Sequence, residues 1–171
     1  MMDTKKIKIG ALIKEIIKRK GVTAAWLADA IGYVKSNITN IYERESINTD
    51  LLVKICIALE FDFFFLYSEY IRDICFLNPL QTIRFTGKKI HIGQMIKEEL
   101  DKEKWKGRLS HLANKIACDK SIFSKMDTRE NMSTDLLTRV CIHTEINYYF
   151  AYSEYVREEI RKKRSNIVAF S

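Results

Sequence analysis

The segment Trp26–Tyr42, WLADAIGYVKSNITNIY, predicts two short helices joined by a tight turn. Thr23 can act as the N-cap of the first helix, and Gly32 suits the left-handed residue that commonly ends a helix. Apolar residues recur at helical spacing, so each helix has one face to bury: Leu27, Ile31, Ile38, Ile41 and Tyr42. Two helices joined in this way form a helix-turn-helix.

Three further helices are predicted around this pair. Upstream, the stretch from Ile9 to Ile17 carries apolar residues at i, i+3, i+4 and i+7, and it stops before Gly21. Downstream, one helix begins at Asn48 or Thr49, and the last begins after the capping residue Asp62. The 171 residues include one proline and six glycines, a scarcity of helix breakers that favours helices over a fold of many turns. The sequence therefore predicts an all-α fold.

The whole five-helix unit occurs twice. A shift of 85 aligns residues 27–73 with residues 112–158, with 20 identities in 47 positions and no gap. The word YSEY occurs at Tyr67–Tyr70 and again at Tyr152–Tyr155, and KKIKIG near the N-terminus returns as KKIHIG at a shift of 83. We predict a first module at residues 1–77, a linker at residues 78–87 and a second module at residues 88–171.

Short segments rich in β-branched and aromatic residues lie beside the helices. QTIRFT (81–86) follows the first module, NIVAFS (166–171) ends the second, and KKIKI and KKIHI precede the two modules. Such compositions are typical of strands. We therefore predict that short β-strands flank each module and pair with each other.

Each module resembles the Cro/repressor-type (XRE-family) DNA-binding domain, which is lambda-repressor-like and has five helices. The resemblance rests on LADAIGYVKSNITNIY, INTDLLVKICIALEFD and the first helix, and it covers nearly all of residues 7–74 and 90–159. It implies two tandem all-α domains that bind double-stranded DNA and regulate transcription. It also implies a bacterial-type protein that is cytoplasmic and associated with the nucleoid.

In this architecture the third helix enters the major groove and presents its N-terminal side chains to base edges. The residues predicted to read bases are Lys35, Ser36, Asn37 and Asn40 in the first module and Lys120, Ser121, Ile122 and Lys125 in the second. Asparagine can pair bidentately with adenine, and lysine can reach guanine or a phosphate. The alternative is that these side chains form only the solvated face of a short helix.

Phosphate contacts are predicted beside the third helices, from helix N-termini and nearby hydrogen-bond donors. The candidates are Thr23, Arg44, Ser46 and Asn48 in the first module and Arg108, Arg129, Asn131 and Ser133 in the second. Arg44 and Arg129 have an alternative role in surface ion pairs with neighbouring glutamates. The run RKKR (161–164) either follows DNA phosphates or forms a solvated helix end.

Two departures from the family pattern weaken the case for DNA binding. The family commonly has a glutamine as the second residue of the second helix, where this chain has Ala24 and Leu109. Asp127 occupies the position of Tyr42 in the second module, and its charge would repel a nearby phosphate. The second module is therefore expected to read DNA less well, or to have shifted towards a packing role.

The fifth helices are unusually aromatic, with the sequences FDFFFLYSEY and INYYFAYSEY. One helix face cannot bury so many rings against a single small domain, so the alternative to an aromatic core is an interface. We predict an association surface made of Tyr67, Tyr70, Tyr152 and Tyr155. It would join the two modules as an intramolecular pseudo-dimer, or two chains as a homodimer.

Nothing in the sequence indicates an enzyme, a metal site or a small-molecule cofactor. The three histidines stand apart from any nucleophile, and the four cysteines lack metal-ligand spacing. No apolar run reaches the roughly 20 residues that a membrane span requires, and no signal peptide is recognisable. We therefore expect a cytoplasmic, non-enzymatic protein.

The charge of the chain is compatible with two classes of function. The net charge of +7 and the pI of about 9.2 suit a polyanionic partner such as DNA. Residues 1–85, however, hold 12 basic and 10 acidic residues, so the first module is nearly neutral. The alternative function is a protein–protein adaptor that retains the helix-turn-helix fold without specific DNA binding.

Overall fold

The computed structural model describes residues 6–75, 80–85, 87, 89–119 and 121–169, with all their side chains except those of residues 124 and 167–169. The first module contains α1 (Ile9–Arg19), α2 (Ala24–Ile31), α3 (Lys35–Ile41), α4 (Thr49–Leu59) and α5 (Phe63–Ile74). The second contains α6 (Ile92–Leu100), α7 (Leu109–Ile116), α8 (Ser121–Ser124), α9 (Thr134–Thr144) and α10 (Tyr148–Ala169). There are also 3-10 turns at Glu103–Trp105 and Met126–Thr128 and two strands, β1 (Gln81–Thr82) and β2 (Ile146–Asn147). The predicted all-α fold is confirmed.

In the first module, α2 and α5 begin after their predicted capping residues, and α2 also ends at the predicted Gly32. Thr23 Oγ1 accepts a hydrogen bond from the N–H of Trp26 at 3.1 Å, and Asp62 Oδ1 accepts one from the N–H of Phe65 at 2.9 Å. Gly32 ends α2 in the left-handed conformation, with φ of 72°. Each cap satisfies backbone groups that the helix itself leaves unpaired.

α10 is longer than its counterpart α5, since it continues through the RKKR run to Ala169. The prediction of a strand at NIVAFS is therefore wrong for residues 166–169, and residues 170–171 lie outside the described part of the chain. The sequence accounts for this asymmetry. Pro79 follows shortly after α5 and cannot supply the N–H that a continuing helix needs.

The two strands form a pairing that the sequence did not suggest. β1 runs parallel to β2, with Gln81 opposite Ile146 and Thr82 opposite Asn147. The linker segment therefore pairs with the residues just before α10. The predicted pairing between segments that flank the same module is wrong, because in the described residues neither segment that precedes a module forms a strand.

The two modules meet around an isolated antiparallel bridge between Asn48 and Ser133. The N–H of Thr49 donates to the carbonyl of Met132 at 2.9 Å, and the N–H of Thr134 donates to the carbonyl of Ile47 at 2.8 Å. Asn48 and Ser133 are equivalent in the repeat of 85 residues, and the same shift converts the bond from Thr49 to Met132 into the bond from Thr134 to Ile47. The junction is therefore reciprocal, as in a symmetric dimer, although both halves belong to one chain.

Aromatic side chains of α5 and α10 stack across this junction in two equivalent pairs. The rings of Phe64 and Tyr152 lie 4.6 Å apart, and those of Tyr67 and Tyr149 lie 4.7 Å apart. The same shift relates Phe64 to Tyr149 and Tyr67 to Tyr152. The modules consequently share one continuous apolar core.

Polar contacts between α5 and α10 repeat the reciprocity of the ring stacking. Asn147 Nδ2 donates to Ser68 Oγ at 2.9 Å, and Ser153 Oγ donates to Asp62 Oδ2 at 2.6 Å. Ser68 and Ser153 are equivalent, as are Asp62 and Asn147. Tyr152 also donates its hydroxyl to Thr49 Oγ1 at 3.0 Å, which links α10 to the start of α4.

The four tyrosines of the predicted association surface divide into two pairs. Tyr67 and Tyr152 are 3% exposed and stack inside the junction between the modules. Tyr70 and Tyr155 are half-buried at its edge, where the Tyr155 ring lies 5.1 Å from the Phe85 ring. Homodimerisation between chains remains a prediction.

The C-terminal part of α10 is held against the end of α4 by charge. Lys163 Nζ donates to the carbonyl of Ile57 at 3.3 Å, and Arg164 Nε donates to Glu60 at 2.7 Å. The last carbonyls of a helix lack intrahelical partners and attract cations. Lys162 pairs with Glu158 and Glu159. The RKKR run therefore serves largely in contacts within the protein.

Replacing Phe64 by alanine is expected to lower the free energy of unfolding by about 3–5 kcal/mol, the usual loss for a buried phenylalanine. The side chain is fully buried and stacks on Tyr152. The matched control is Phe65→Ala, because Phe65 is 41% exposed and contacts Arg157 through its ring face. Phe65→Ala should lower the free energy of unfolding by only about 1 kcal/mol. Equal losses in urea unfolding would contradict the assigned junction.

The contact between α10 and α4 should respond to acid. The hydrogen bond from Arg164 lowers the pKa of Glu60 below its ordinary value of 4.5. Because the folded pKa is depressed, the stabilisation is complete above pH 4.5 and is lost as the pH falls through the folded pKa. Glu60→Gln should therefore lower the free energy of unfolding by about 0.5–1 kcal/mol at pH 7 and by less at pH 3.

Urea unfolding at the two pH values measures this difference. Glu43→Gln is the control, since Glu43 is exposed and forms no ion pair with any residue that the structure describes. A Glu60→Gln effect that persists unchanged at pH 3 would show that the charge of Glu60 is irrelevant to the contact.

Candidate nucleic-acid interface

Backbone hydrogen bonds fix the turn between α2 and α3. The N–H of Gly32 donates to the carbonyl of Asp29 at 3.1 Å, and the N–H of Tyr33 donates to the carbonyl of Ala28 at 2.7 Å. Val34 then adopts an extended conformation, and α3 begins at the next residue. The turn holds α2 and α3 in the helix-turn-helix arrangement.

α3 has one buried apolar face and one exposed polar face. Ile38 and Ile41 are 0% and 2% exposed. The residues predicted to read bases in the first module are all exposed: Lys35, Ser36, Asn37 and Asn40. Among the described residues, none engages these four side chains in a hydrogen bond or ion pair. Their donors and acceptors are therefore available to a partner molecule.

A close approach of α1 holds the C-terminal end of α3. The N–H of Gly10 donates to the carbonyl of Arg44 at 3.0 Å, and a Cβ on Gly10 would lie 2.1 Å from the carbonyl oxygen of Ile41. In the second module the N–H of Gly93 donates to the carbonyl of Arg129 at 3.1 Å, and a Cβ on Gly93 would lie 1.9 Å from a backbone oxygen. This close approach explains why KKIKIG and KKIHIG share their glycine.

Arg44 lies beside α3 with an exposed side chain. Its neighbour Glu45 pairs with Lys6 at 3.1 Å, and the equivalent Glu130 pairs with Lys89 at 3.1 Å. Within the described ranges Arg44 itself forms no ion pair, so its guanidinium can contact a phosphate. Thr23 is also exposed, and its hydroxyl oxygen caps α2.

Three residues predicted to contact phosphates lie at the module junction: Ser46, Asn48 and Ser133. Ser46 Oγ accepts a hydrogen bond from the N–H of Asp135 at 3.0 Å and lies 3.1 Å from Thr134 Oγ1. Ser133 Oγ accepts one from the N–H of Leu136 at 3.2 Å. The hydroxyl oxygens of Ser46 and Ser133 thus accept hydrogen bonds within the protein, and their phosphate contacts stay predictions. The Asn48 side chain is exposed.

The third helix of the second module is short and irregular. α8 spans only Ser121–Ser124, and a 3-10 turn follows it. Asp119 Oδ1 accepts a hydrogen bond from the N–H of Ser121 at 2.7 Å, and this bond lowers the pKa of Asp119. Ala117 replaces Gly32 in the left-handed conformation, with φ of 52°. A Cβ in this conformation costs about 1–2 kcal/mol.

The predicted base-reading residues of the second module are not equivalent in exposure. Ser121 and Lys125 are exposed, and Lys120 lies outside the described residues. Ile122 is half-buried and packs against the core, so only part of its side chain is exposed for the predicted base contact. Asp127 is exposed close in sequence to Lys125. These features agree with the prediction that the second module reads DNA less well than the first, which stays a prediction.

The remaining phosphate candidates of the second module differ in exposure. Arg108 and Asn131 are exposed, whereas Arg129 is half-buried. Arg108 immediately precedes α7, so its guanidinium and the first backbone N–H groups of the helix can contact the same anion. These three residues keep their assignment as predictions.

Two exposed apolar residues near the turn were missed by the sequence analysis. Val34 is 60% exposed and Trp26 is 44% exposed. Val34 occupies the N-cap position of α3, where polar residues are strongly preferred. The apolar Val34 at this position was the sequence feature that could have indicated a DNA contact. An exposed apolar residue at the start of the third helix can contact a thymine methyl group.

The described residues contain no cluster of histidine, cysteine, aspartate and glutamate that could bind a metal ion. In the same part of the chain, no helix combines the length and the apolar character that crossing a bilayer would require.

Residues 12–63 match the family model of the Cro/C1-type HTH DNA-binding domain. The match runs from α1 to the start of α5 and includes the whole of α2, α3 and α4. The first module therefore contains a Cro/C1-type helix-turn-helix domain, and the family comparison does not extend to the second module. Comparisons with curated proteins and with solved structures found no match.

Gly10→Ala is expected to lower the free energy of unfolding by about 1–3 kcal/mol, because the added methyl group would overlap backbone oxygens at the end of α3. Gly87→Ala is the control, since its Cβ would meet no atom closer than 3.6 Å. The control should change stability by less than about 0.5 kcal/mol. Equal stability of both variants in urea unfolding would refute the close approach.

Proposed function

We propose that this protein binds double-stranded DNA sequence-specifically through α3 of the first module and acts as a cytoplasmic transcriptional regulator at the nucleoid. The observation that carries the proposal is the polar face of α3, which is exposed and unengaged by the described residues while the opposite face is buried. This face belongs to the segment that matches a DNA-binding family.

Three side chains of this polar face have a chemical counterpart on DNA. Asn37 and Asn40 can each pair with the N6 and N7 groups of an adenine, and Lys35 can donate to guanine or to a phosphate. Arg44, exposed after α3, supports a phosphate contact that would fix the register of α3 on the duplex. Val34 adds an apolar surface that suits a thymine methyl group.

The reciprocal junction supports binding as a single-chain pseudo-dimer. Two reading helices related by a twofold suit half-sites about 34 Å apart, one turn of the duplex. Asn37 and Asn40 correspond to Ile122 and Lys125, so the two half-sites would differ and the site would be an imperfect palindrome. Covalent linkage makes binding of the second half-site intramolecular, which raises avidity without additional interactions.

The test begins with selection of bound sequences from a random pool of duplex DNA by the full chain. Lys35→Ala combined with Asn37→Ala should then weaken binding to the selected site by about 1–3 kcal/mol for each base that the variant no longer reads. Lys125→Ala should weaken binding to all sequences more evenly and reduce the salt dependence. Lys162→Ala is the control, because Lys162 is paired with two glutamates on α10.

The outcomes separate the two classes of function. Unchanged retention of the selected DNA by the Lys35→Ala, Asn37→Ala variant would exclude α3 as the reading surface. Failure of the unmodified chain to enrich any sequence, with native-like unfolding, would favour the adaptor function.

A further inference from the structure

The second module contains a cavity of about 550 Å³, and among its lining residues only Arg108 is also a candidate for a DNA phosphate contact. It lies between the 3-10 turn Glu103–Trp105, α7 and the C-terminal end of α9. Six of its lining residues are basic or aromatic: Lys104, Trp105, Arg108, His111, Lys115 and His143. Its volume is within the range of pockets that bind small molecules.

The composition of this cavity is specific to the second module. At the positions of Arg108, His111, Lys115 and His143, the first module has Thr23, Trp26, Ala30 and Ala58. The first module also lacks an equivalent of the 3-10 turn between its first two helices. The cavity is therefore a product of divergence between the two copies and not of the shared fold.

The buried carboxylate of Glu99 stabilises the 3-10 turn that contains Trp105 and forms one side of the cavity. Glu99 is 2% exposed, and it forms ion pairs with Lys102, which precedes the 3-10 turn, and with Lys104 within the turn. Burial raises the pKa of Glu99, but the two lysines outweigh it, so the pKa is lowered and the carboxylate stays charged. The first module has Ile16 at this position. Glu99 thus fixes a structure that only the second module possesses.

The charge that lines the cavity favours an anion. Lys104 is neutralised by Glu99, but Arg108 and Lys115 form no ion pair with any described residue. Burial, Lys115 and Arg139 lower the pKa of His143, a sign of positive potential at this site. Glu145 also lines the cavity and offsets part of this charge. Arg108 and Lys115 are thus two cations beside the indole ring of Trp105 that no described acidic residue neutralises through an ion pair.

We propose that this cavity binds a small planar organic anion of the aromatic carboxylate class. Arg108 and Lys115 hold the carboxylate, since a guanidinium and an ammonium offer charge-assisted hydrogen bonds to its two oxygens. Trp105 packs against the ring, as aromatic pairs prefer. A DNA phosphate has the charge but lacks the planar apolar part that would fill the remaining space.

The test uses the tryptophan in the cavity as its reporter. The chain has two tryptophans, so Trp26→Phe leaves Trp105 as the sole source of indole fluorescence. This variant is titrated with benzoate, with benzylamine and with inorganic phosphate. We expect a saturable change with benzoate, a weaker one with phosphate, which lacks the ring, and none with benzylamine, which has the opposite charge.

Substitutions in the same background connect the response to the cavity. Arg108→Gln combined with Lys115→Gln should raise the benzoate dissociation constant about tenfold or more, as expected when charge-assisted hydrogen bonds are removed. Lys106→Gln is the matched control, because Lys106 lies in the same loop, does not line the cavity and pairs with Glu103. If the double variant fails to fold, Lys115→Gln alone takes its place.

Three results would overturn the proposal. The first is the absence of a saturable benzoate response, and the second is an equal response to benzylamine. The third is an equal reduction of benzoate affinity in the Lys106→Gln control. If the first result is found and the double variant also loses DNA affinity, Arg108 and Lys115 bind backbone phosphates instead of an aromatic carboxylate.

Discussion

Around the bridge between Asn48 and Ser133, each module gives one backbone N–H and receives one, and two pairs of stacked rings lie between α5 and α10. A buried polar group that loses its partner costs about 1–3 kcal/mol. Thr49 N–H donates to Met132, Thr134 N–H donates to Ile47, and Tyr152 donates to Thr49, so all three bonds form together in a single register. A slip in this register would leave several buried groups unpaired at once.

The same bridge fixes the geometry of the candidate site. α4 begins at Thr49 and α9 begins at Thr134, so each bridge residue ends the loop that leaves the third helix of its module. The other end of that loop is held by Gly10 in the first module and by Gly93 in the second. The position of each third helix is thus fixed from both sides, by a contact within its module and by a contact between the modules.

Sequence patterns predicted the features that depend on neighbouring residues. The bounds of α2 and the caps Thr23 and Asp62 follow from local chemistry, and the structure matches them. The β1–β2 pairing, the role of Ser46 and the extension of α10 depend on contacts between residues far apart in the chain. Composition alone could not indicate them, since QTIRFT and NIVAFS are similar in composition, yet QTIRFT begins as a strand and residues 166–169 of NIVAFS continue a helix. The cavity is formed in part by the 3-10 turn Glu103–Trp105, which has no equivalent in the first module. No periodic pattern in the sequence predicts the conformation of such a turn.

The reciprocal junction within one chain also changes how the protein depends on its own abundance. Two separate subunits must first meet, so the concentration of an assembled pair falls with the square of the subunit concentration when pairing is weak. Here the halves are made together in a fixed one-to-one ratio, and their pairing is a first-order event. Occupancy of any target that needs both halves should then fall only in proportion to the number of chains in the cell.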